Sequence, residues 1–201
     1  MRMIAARVGM VALACLLALV GWFGGLHASG NVQTVIAGQV YRAGTLPPDH
    51  LARLLAQHRI RSVVNLRGPH PGTPWYDAEA ATTAAAGAQL LDFPMTAGAS
   101  LPEAKADALI RLMADAPKPM LIHCEGGADR TGLAAALYLT AVQGVPAREA
   151  GRQLSVRYGH VGIQGLTYAW PMTESWQRLK DLVRSPSAAL PGRYRAARRP
   201  A

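Results

Sequence analysis

The ten-residue string His123-Cys124-Glu125-Gly126-Gly127-Ala128-Asp129-Arg130-Thr131-Gly132 constrains this chain more than any other feature. The apolar run Met120-Leu121-Ile122 leads into it and reads as a strand; a second apolar run, Leu133 to Val142, leads out and reads as a helix. Between them lies a glycine-bearing loop that ends at a helix start. Its amide N–H groups can point inward, and the helix N-terminus adds a partial positive charge. Such a loop can wrap a tetrahedral oxyanion, with Arg130 closing the ring through a planar fork suited to two oxygens. The same field favours the thiolate of Cys124, which makes that side chain a nucleophile near neutral pH.

The rest of the chain supplies the frame. Asn31 to Tyr41 alternates like a short strand pair with a turn at Ala37-Gly38. Pro47-Pro48-Asp49 opens a helix through His58, with Leu51, Leu54 and Leu55 on one face. Strands follow at Ile60–Leu66 and Gln89–Phe93. Helices are expected at Trp75–Ala86, Leu101–Ala114, Arg130–Val142, Pro146–Tyr158 and Gly165–Val183, with a breaker-rich loop from Arg67 to Pro74. Alternating strands and helices predict an α/β fold, a mostly parallel central sheet flanked by helices. Cys124 then lies at the carboxyl end of a strand, where such sheets usually bind ligands.

The string resembles the active-site signature of the cysteine-dependent protein tyrosine and dual-specificity phosphatases, His-Cys-x5-Arg-Thr/Ser-Gly. The fixed positions are all present as His123, Cys124, Arg130, Thr131 and Gly132. From about Val32 to Lys180 the chain is similar to compact bacterial dual-specificity-type members, with related blocks at Val40-Tyr41-Arg42-Ala43-Gly44, Val63-Val64-Asn65-Leu66-Arg67-Gly68 and Asp92-Phe93-Pro94-Met95. The resemblance implies that Cys124 attacks phosphorus to give a phosphocysteine. It implies that Arg130 holds the equatorial oxygens, and that the amides of Glu125, Gly126, Gly127, Ala128, Asp129 and Arg130 cradle them. Gly126 and Gly127 let the backbone approach the anion closely. Thr131 resembles the hydroxyl that bonds the cysteine sulfur and helps it leave; it also reads as an ordinary helix N-terminal threonine. His123 is expected to order the loop by hydrogen bonding.

Cleavage of a phosphate monoester also needs a proton for the leaving oxygen and a base for the later water. Many members place an aspartate about 30 residues before the cysteine, and Asp92 lies 32 residues before Cys124. In many relatives, however, the acid follows the proline block, where this chain has Thr96, Ala97 and Gly98. Asp129 is the rival. Asp-Arg-Thr-Gly resembles bacterial tyrosine/lipid phosphatases and myotubularin-like enzymes, which put an acid at this loop position. Asp129 is the preferred acid, since a loop residue is positioned by the phosphate itself. Arg42 and Arg67 follow the early strands and are candidates for substrate contact, with solvated side chains as the alternative. Arg157-Tyr158-Gly159-His160 resembles a recurring block without an assigned role.

The loop carries Glu125 and Asp129 and no lysine, whereas relatives acting on inositol polyphosphates tend to bring lysines. A phosphotyrosine-like protein monoester or a small phosphate ester is therefore favoured over a polyphosphate. Two other classes stay open: a phosphate-binding pseudophosphatase without turnover, and a rhodanese-like sulfurtransferase. No cofactor or metal is implied, because the histidines and cysteines show no ligand spacing and no Gly-Lys-Ser/Thr loop is present.

The net charge of +9 suggests nucleic acid until it is located. Seven arginines sit at the ends, Arg2, Arg7, Arg184, Arg193, Arg195, Arg198 and Arg199; without them the 21 basic residues fall to 14, against 12 acidic. The body is not an evident polyanion binder, and no nucleic-acid partner is expected. Two arginines precede a 19-residue apolar run, Val8 to Leu26. That length suits an uncleaved inner-membrane anchor with the catalytic domain extracytoplasmic, by the positive-inside rule. A cleaved export signal and a buried soluble helix are the alternatives. The expected organisation is residues 1–29 as anchor or signal, 30–183 as the catalytic domain and 184–201 as a basic disordered tail. Cys15 falls in the apolar run, so Cys124 has no evident disulfide partner, and catalysis is a reason to keep a lone thiol.

Overall fold

Five strands form one sheet: β1 (Gln33–Ile36), β2 (Val40–Ala43), β3 (Ser62–Asn65), β4 (Gln89–Asp92) and β5 (Met120–His123), in the order β1-β2-β5-β3-β4. They are seen in a computed structural model that describes residues 2–183, so the tail from 184 onward lies outside the described residues. β2, β5, β3 and β4 run parallel, and β1 pairs antiparallel with β2 across the turn at Ala37-Gly38. The helices are α1 (Arg2–Ala28), α2 (Pro48–His58), α3 (Pro74–Ala85), α4 (Glu103–Asp115), α5 (Asp129–Ala141), α6 (Ala147–Ala150) and α7 (Trp170–Leu182).

The strands are near-continuous apolar runs because both faces of the sheet are covered. Alternation along each strand sends neighbours to opposite sides. Val40, Val64 and Ile122 join the larger core with α4, α5 and α7, while Tyr41, Val63 and Leu121 join the smaller core under α2. α4 buries Ala106, Leu109, Ile110 and Met113, the one-sided stripe of an amphipathic helix. α5 is buried along its whole length from Thr131 to Ala141. Its small residues let it lie deep: a Cβ on Gly132 would stand 2.7 Å from the carbonyl oxygen of Gln153.

Register places the site. Ala43, Asn65 and Asp92 stand level with His123 across the ladder, so Gly44, Leu66, Phe93 and Cys124 all leave the same carboxyl edge.

Two segments depart from the sequence reading. The helix expected from Pro146 to Tyr158 is α6 followed by single 3₁₀ turns at Gly151–Gln153 and Val156–Tyr158. The chain unwinds at Leu154 and Ser155, which leaves both the carbonyl and the side-chain oxygen of Gln153 free to accept from Arg42. The last helix starts at Trp170 rather than near Gly165, with Pro171 in its first turn, where its missing N–H costs nothing.

α1 holds a stretch, Gly9–Ala28, long and apolar enough to cross a membrane, with a mean hydropathy of 2.1 and none of it buried in the protein. Its last turns touch the domain. Trp22 Nε1 donates to the Val156 carbonyl at 3.2 Å, and Phe23 and Leu26 lie against Gly159.

Candidate active site

The loop from Cys124 to Ala128 is held from outside by its carbonyls. Thr45 Oγ1 donates to the Cys124 carbonyl at 3.2 Å and Thr45 N to that of Glu125 at 2.9 Å. Asn31 Nδ2 donates to Gly126 at 3.1 Å, and Arg42 Nη2 donates to Gly127 at 2.7 Å and Ala128 at 3.2 Å. With five successive carbonyls pulled outward, the amides turn inward. Among the described residues, the N–H groups from Glu125 to Arg130 give no hydrogen bond to backbone or side chain. That is the geometry of an anion cup at a helix N-terminus. Gly127 is required on the outer side of the loop rather than the anion side. It has φ +68°, and a Cβ on it would lie 2.5 Å from Ala43 C and Gly44 N. A Cβ on Gly126 meets nothing, so of the two glycines only Gly127 is fixed by packing.

Arg42 does not reach the mouth of the site. It is fully buried behind the loop, where Nη1 also donates to the carbonyl and Oε1 of Gln153 at 2.9 and 2.7 Å, and its guanidinium lies 4.1 Å from the Tyr158 ring centroid. Burial pulls its pKa down to about 10, against the opposing pull of the Tyr158, Cys124 and Asp129 charges, so it stays a cation at neutral pH. Neither the candidate substrate contact nor the solvated alternative holds for Arg42: β2 lies beside β5, and Arg42 is buried behind the loop as a buttress. Arg67 is different. It is half-buried, stacks 3.5 Å from the Trp75 ring centroid, and its Nη1 donates to Thr45 Oγ1 at 3.1 Å, one residue from the loop.

Cys124 is a free thiol with 3% of its surface exposed, at the floor of the cup. Arg130, on the first turn of α5, is half-buried. Nη1 donates to the Met95 carbonyl at 3.2 Å, Nη2 stands 3.9 Å from the Glu125 carboxylate, and Nε is buried without a partner among the described residues. Glu125 itself is a rim residue, its side chain 75% exposed. Thr131 Oγ1 is buried and makes no hydrogen bond, so the expected bond to the cysteine sulfur is not formed. His123 Nε2 lies 3.0 Å from Glu79 Oε1, both side chains buried, which ties the strand before the loop to α3.

The two candidate acids stand in different settings. Asp92 ends β4, two strands from β5 and so about 10 Å from it. Both its oxygens are engaged: Oδ1 accepts from Asn65 Nδ2 at 2.8 Å, and Oδ2 from the Tyr76 hydroxyl at 2.5 Å. That last bond pushes the Tyr76 pKa up to about 12. Asp129 is the first residue of α5, inside the loop, with its side chain 29% exposed and Oδ1 2.7 Å from His160 Nδ1. Sequence reading missed Glu79, Thr45, Asn31, Gln153 and His160. Only His160 fell in a block it had singled out. The described residues contain no group of three metal-ligating side chains.

The sequence profile of the tyrosine phosphatase family matches residues 23–150. None of the curated proteins matches the chain. Among solved structures it is similar to TpbA of P. aeruginosa, at 21% identity over 78% of this chain and 90% of that one, with a TM-score of 0.61. It is also similar to Tk-PTP in its active form, at 20% identity over 75% and 97% of the two chains, TM-score 0.59. PTPMT1 in complex with PI(5)P matches at 15% identity over 78% and 99%, TM-score 0.58. At these identities the likeness speaks for the fold.

Proposed function

The chain belongs to the tyrosine phosphatase family and is a cysteine-dependent phosphatase, and from that premise we propose that it hydrolyses phosphotyrosine-like monoesters through a phosphocysteine on Cys124. The observation that supports this reading is the set of five tethered loop carbonyls beside loop amides that have no partner among the described residues.

The phosphate dianion sits in the cup with its equatorial oxygens on the loop amides and the Arg130 guanidinium. The Cys124 thiolate attacks phosphorus in line; the P–S bond forms as the P–O bond to the leaving group breaks. Asp129, protonated, gives its proton to the departing oxygen. Water then attacks the phosphocysteine and Asp129, now a carboxylate, takes its proton, so the thiolate leaves and inorganic phosphate is released. Asp92 serves strand β4, through Asn65 and Tyr76. The buried hydroxyl of Thr131 is close in sequence to the sulfur and acquires its partner when the sulfur carries charge.

The substrate class rests on charge. Glu125 at the loop rim repels a densely phosphorylated ligand, no lysine of the loop offsets it, and a TpbA variant has been solved with pTyr bound. The domain boundaries proposed are 1–29, 30–183 and 184–201. α1 anchors the protein in the inner membrane with the catalytic domain on the extracytoplasmic side, since Arg2 and Arg7 precede the apolar stretch.

A screen of a phosphotyrosine peptide, p-nitrophenyl phosphate and inositol hexakisphosphate tests the reading. Turnover of the first two, lost in Cys124→Ser, supports it; release of phosphate from inositol hexakisphosphate alone overturns the substrate class. Asp129→Asn is expected to lower the rate most for poor leaving groups, by about 10²-fold. If Asp92→Asn does this and Asp129→Asn does not, the acid is Asp92.

A further inference from the structure

His160 is buried, its side chain only 3% exposed, and lies 31 residues from Asp129 in sequence. Its ring uses both nitrogens. Nδ1 is 2.7 Å from Asp129 Oδ1 and Nε2 is 2.8 Å from the Thr173 hydroxyl on α7. A carboxylate can only accept, so Nδ1 carries the hydrogen toward Asp129, and Nε2 shares a hydrogen bond with the Thr173 hydroxyl, which can donate or accept.

The surroundings are shaped for this contact. The His160 amide donates to the Ser155 carbonyl at 3.1 Å, next to the 3₁₀ turn whose Tyr158 ring stacks on Arg42, so histidine and loop share one scaffold. Gly162 leaves room for the second bond: a Cβ there would overlap the Thr173 hydroxyl and stand 2.9 Å from His160 Nε2. A structural salt bridge at a helix start has no such need, because the helix N-terminus already favours the Asp129 charge.

We propose that His160, steadied by Thr173, is a positioning residue for Asp129. Its Nδ1–H holds one carboxylate oxygen, and the other passes the proton to the leaving oxygen and takes one back from water. His160 neither gains nor loses a proton in the cycle. It fixes the carboxylate rotamer and shields the ionised form between the two steps. The inference rests on Asp129 being the acid, as proposed above.

The test compares phenyl phosphate, which needs the acid, with p-nitrophenyl phosphate, which leaves readily without it. His160→Ala should lower kcat about 30-fold on the first, a part of the roughly 10²–10⁴-fold that acid–base catalysis supplies in all, and less than about threefold on the second, with KM nearly unchanged. His160→Asn, which keeps an N–H near the Nδ1 position, should recover most of the loss; His160→Gln, which keeps one near Nε2, should not. In an Asp129→Asn background His160→Ala should add less than about threefold, because the two act as a unit.

Equal losses on both substrates, or a full additional loss in the Asp129→Asn background, overturn the proposal. If Asp129→Asn itself shows no leaving-group dependence, the acid assignment has failed. If Asp129→Asn shows it and His160→Ala does not, only the role of His160 has failed. Should His160→Ala not fold, Thr173→Val decides: a selective loss on phenyl phosphate supports the proposal and no selectivity refutes it.

Discussion

Arg42→Lys is the substitution that most sharply separates a buttress from a substrate contact. The guanidinium makes four hydrogen bonds of 2.7 to 3.2 Å at zero exposure, two to Gln153 and two to the loop carbonyls of Gly127 and Ala128. Its fork spans both partners at once. An ammonium has one position, so lysine can serve Gln153 or Gly127 and must leave the other unpaired. A buried acceptor without a donor costs about 1–3 kcal/mol. The Ala128 carbonyl keeps the Gly132 amide at 2.9 Å, so one side of the arrangement is orphaned rather than both. The expected loss of stability is therefore about 2 kcal/mol, visible as a lower urea midpoint at unchanged slope. The loop amides lose their outer anchor at Gly127, and a shift of about 1 Å at a reacting centre can cost about 10²-fold in rate. We expect kcat/KM on p-nitrophenyl phosphate to fall at least about tenfold and the inhibition constant of inorganic phosphate to rise in step. If Arg42→Lys weakened phosphate binding with stability intact, Arg42 would be touching the anion, and its role as the outer buttress of the loop would be refuted.

Two further outcomes follow from buried groups away from the anion. Glu79→Ala leaves His123 Nε2 without its partner and should cost about 1–3 kcal/mol, whereas Glu79→Gln keeps an acceptor oxygen and should cost less than about 1 kcal/mol, both read from denaturant melts. Burial lowers the Lys118 pKa from 10.5 to about 8. Between those values the unfolded chain holds a proton that the folded one has shed, so stability rises with pH from about 8 to 10.5 and its contribution is lost as pH falls through about 8. Lys118→Met should flatten that rise in pH-dependent melts.

Local pattern and long-range geometry were not equally legible in the sequence. The strand before Cys124 and the helix after it are contiguous with the signature, so β5 and α5 fall within a residue or so of expectation. The leucine face of α2 and the breakers flanking α3 are equally local signals. The failures are where tertiary demand overrides local preference. Residues 147–158 have helical composition, yet the chain opens at Leu154 to bring Gln153 to Arg42. The site divides the same way. Cys124, Arg130 and Asp129 are readable because they lie within seven residues of one another, whereas the groups that hold them come from 31 to 79 positions away, set by the tertiary fold. Arg42 shows the limit best. Sequence reading puts it after a strand, whereas it lies within β2, and the pairing of β2 with β5 sends it behind the cup instead of into its mouth.

Every step of the chemistry depends on an anion held by the loop amides being attacked by the sulfur beneath it. Rapid acid quench of the enzyme during turnover of p-nitrophenyl phosphate, followed by peptide mass mapping, looks for that event itself. A phosphoryl group is expected on the peptide carrying Cys124, and none in Cys124→Ser. Turnover at an undiminished rate by Cys124→Ser, or phosphate trapped on another residue, would contradict the mechanism.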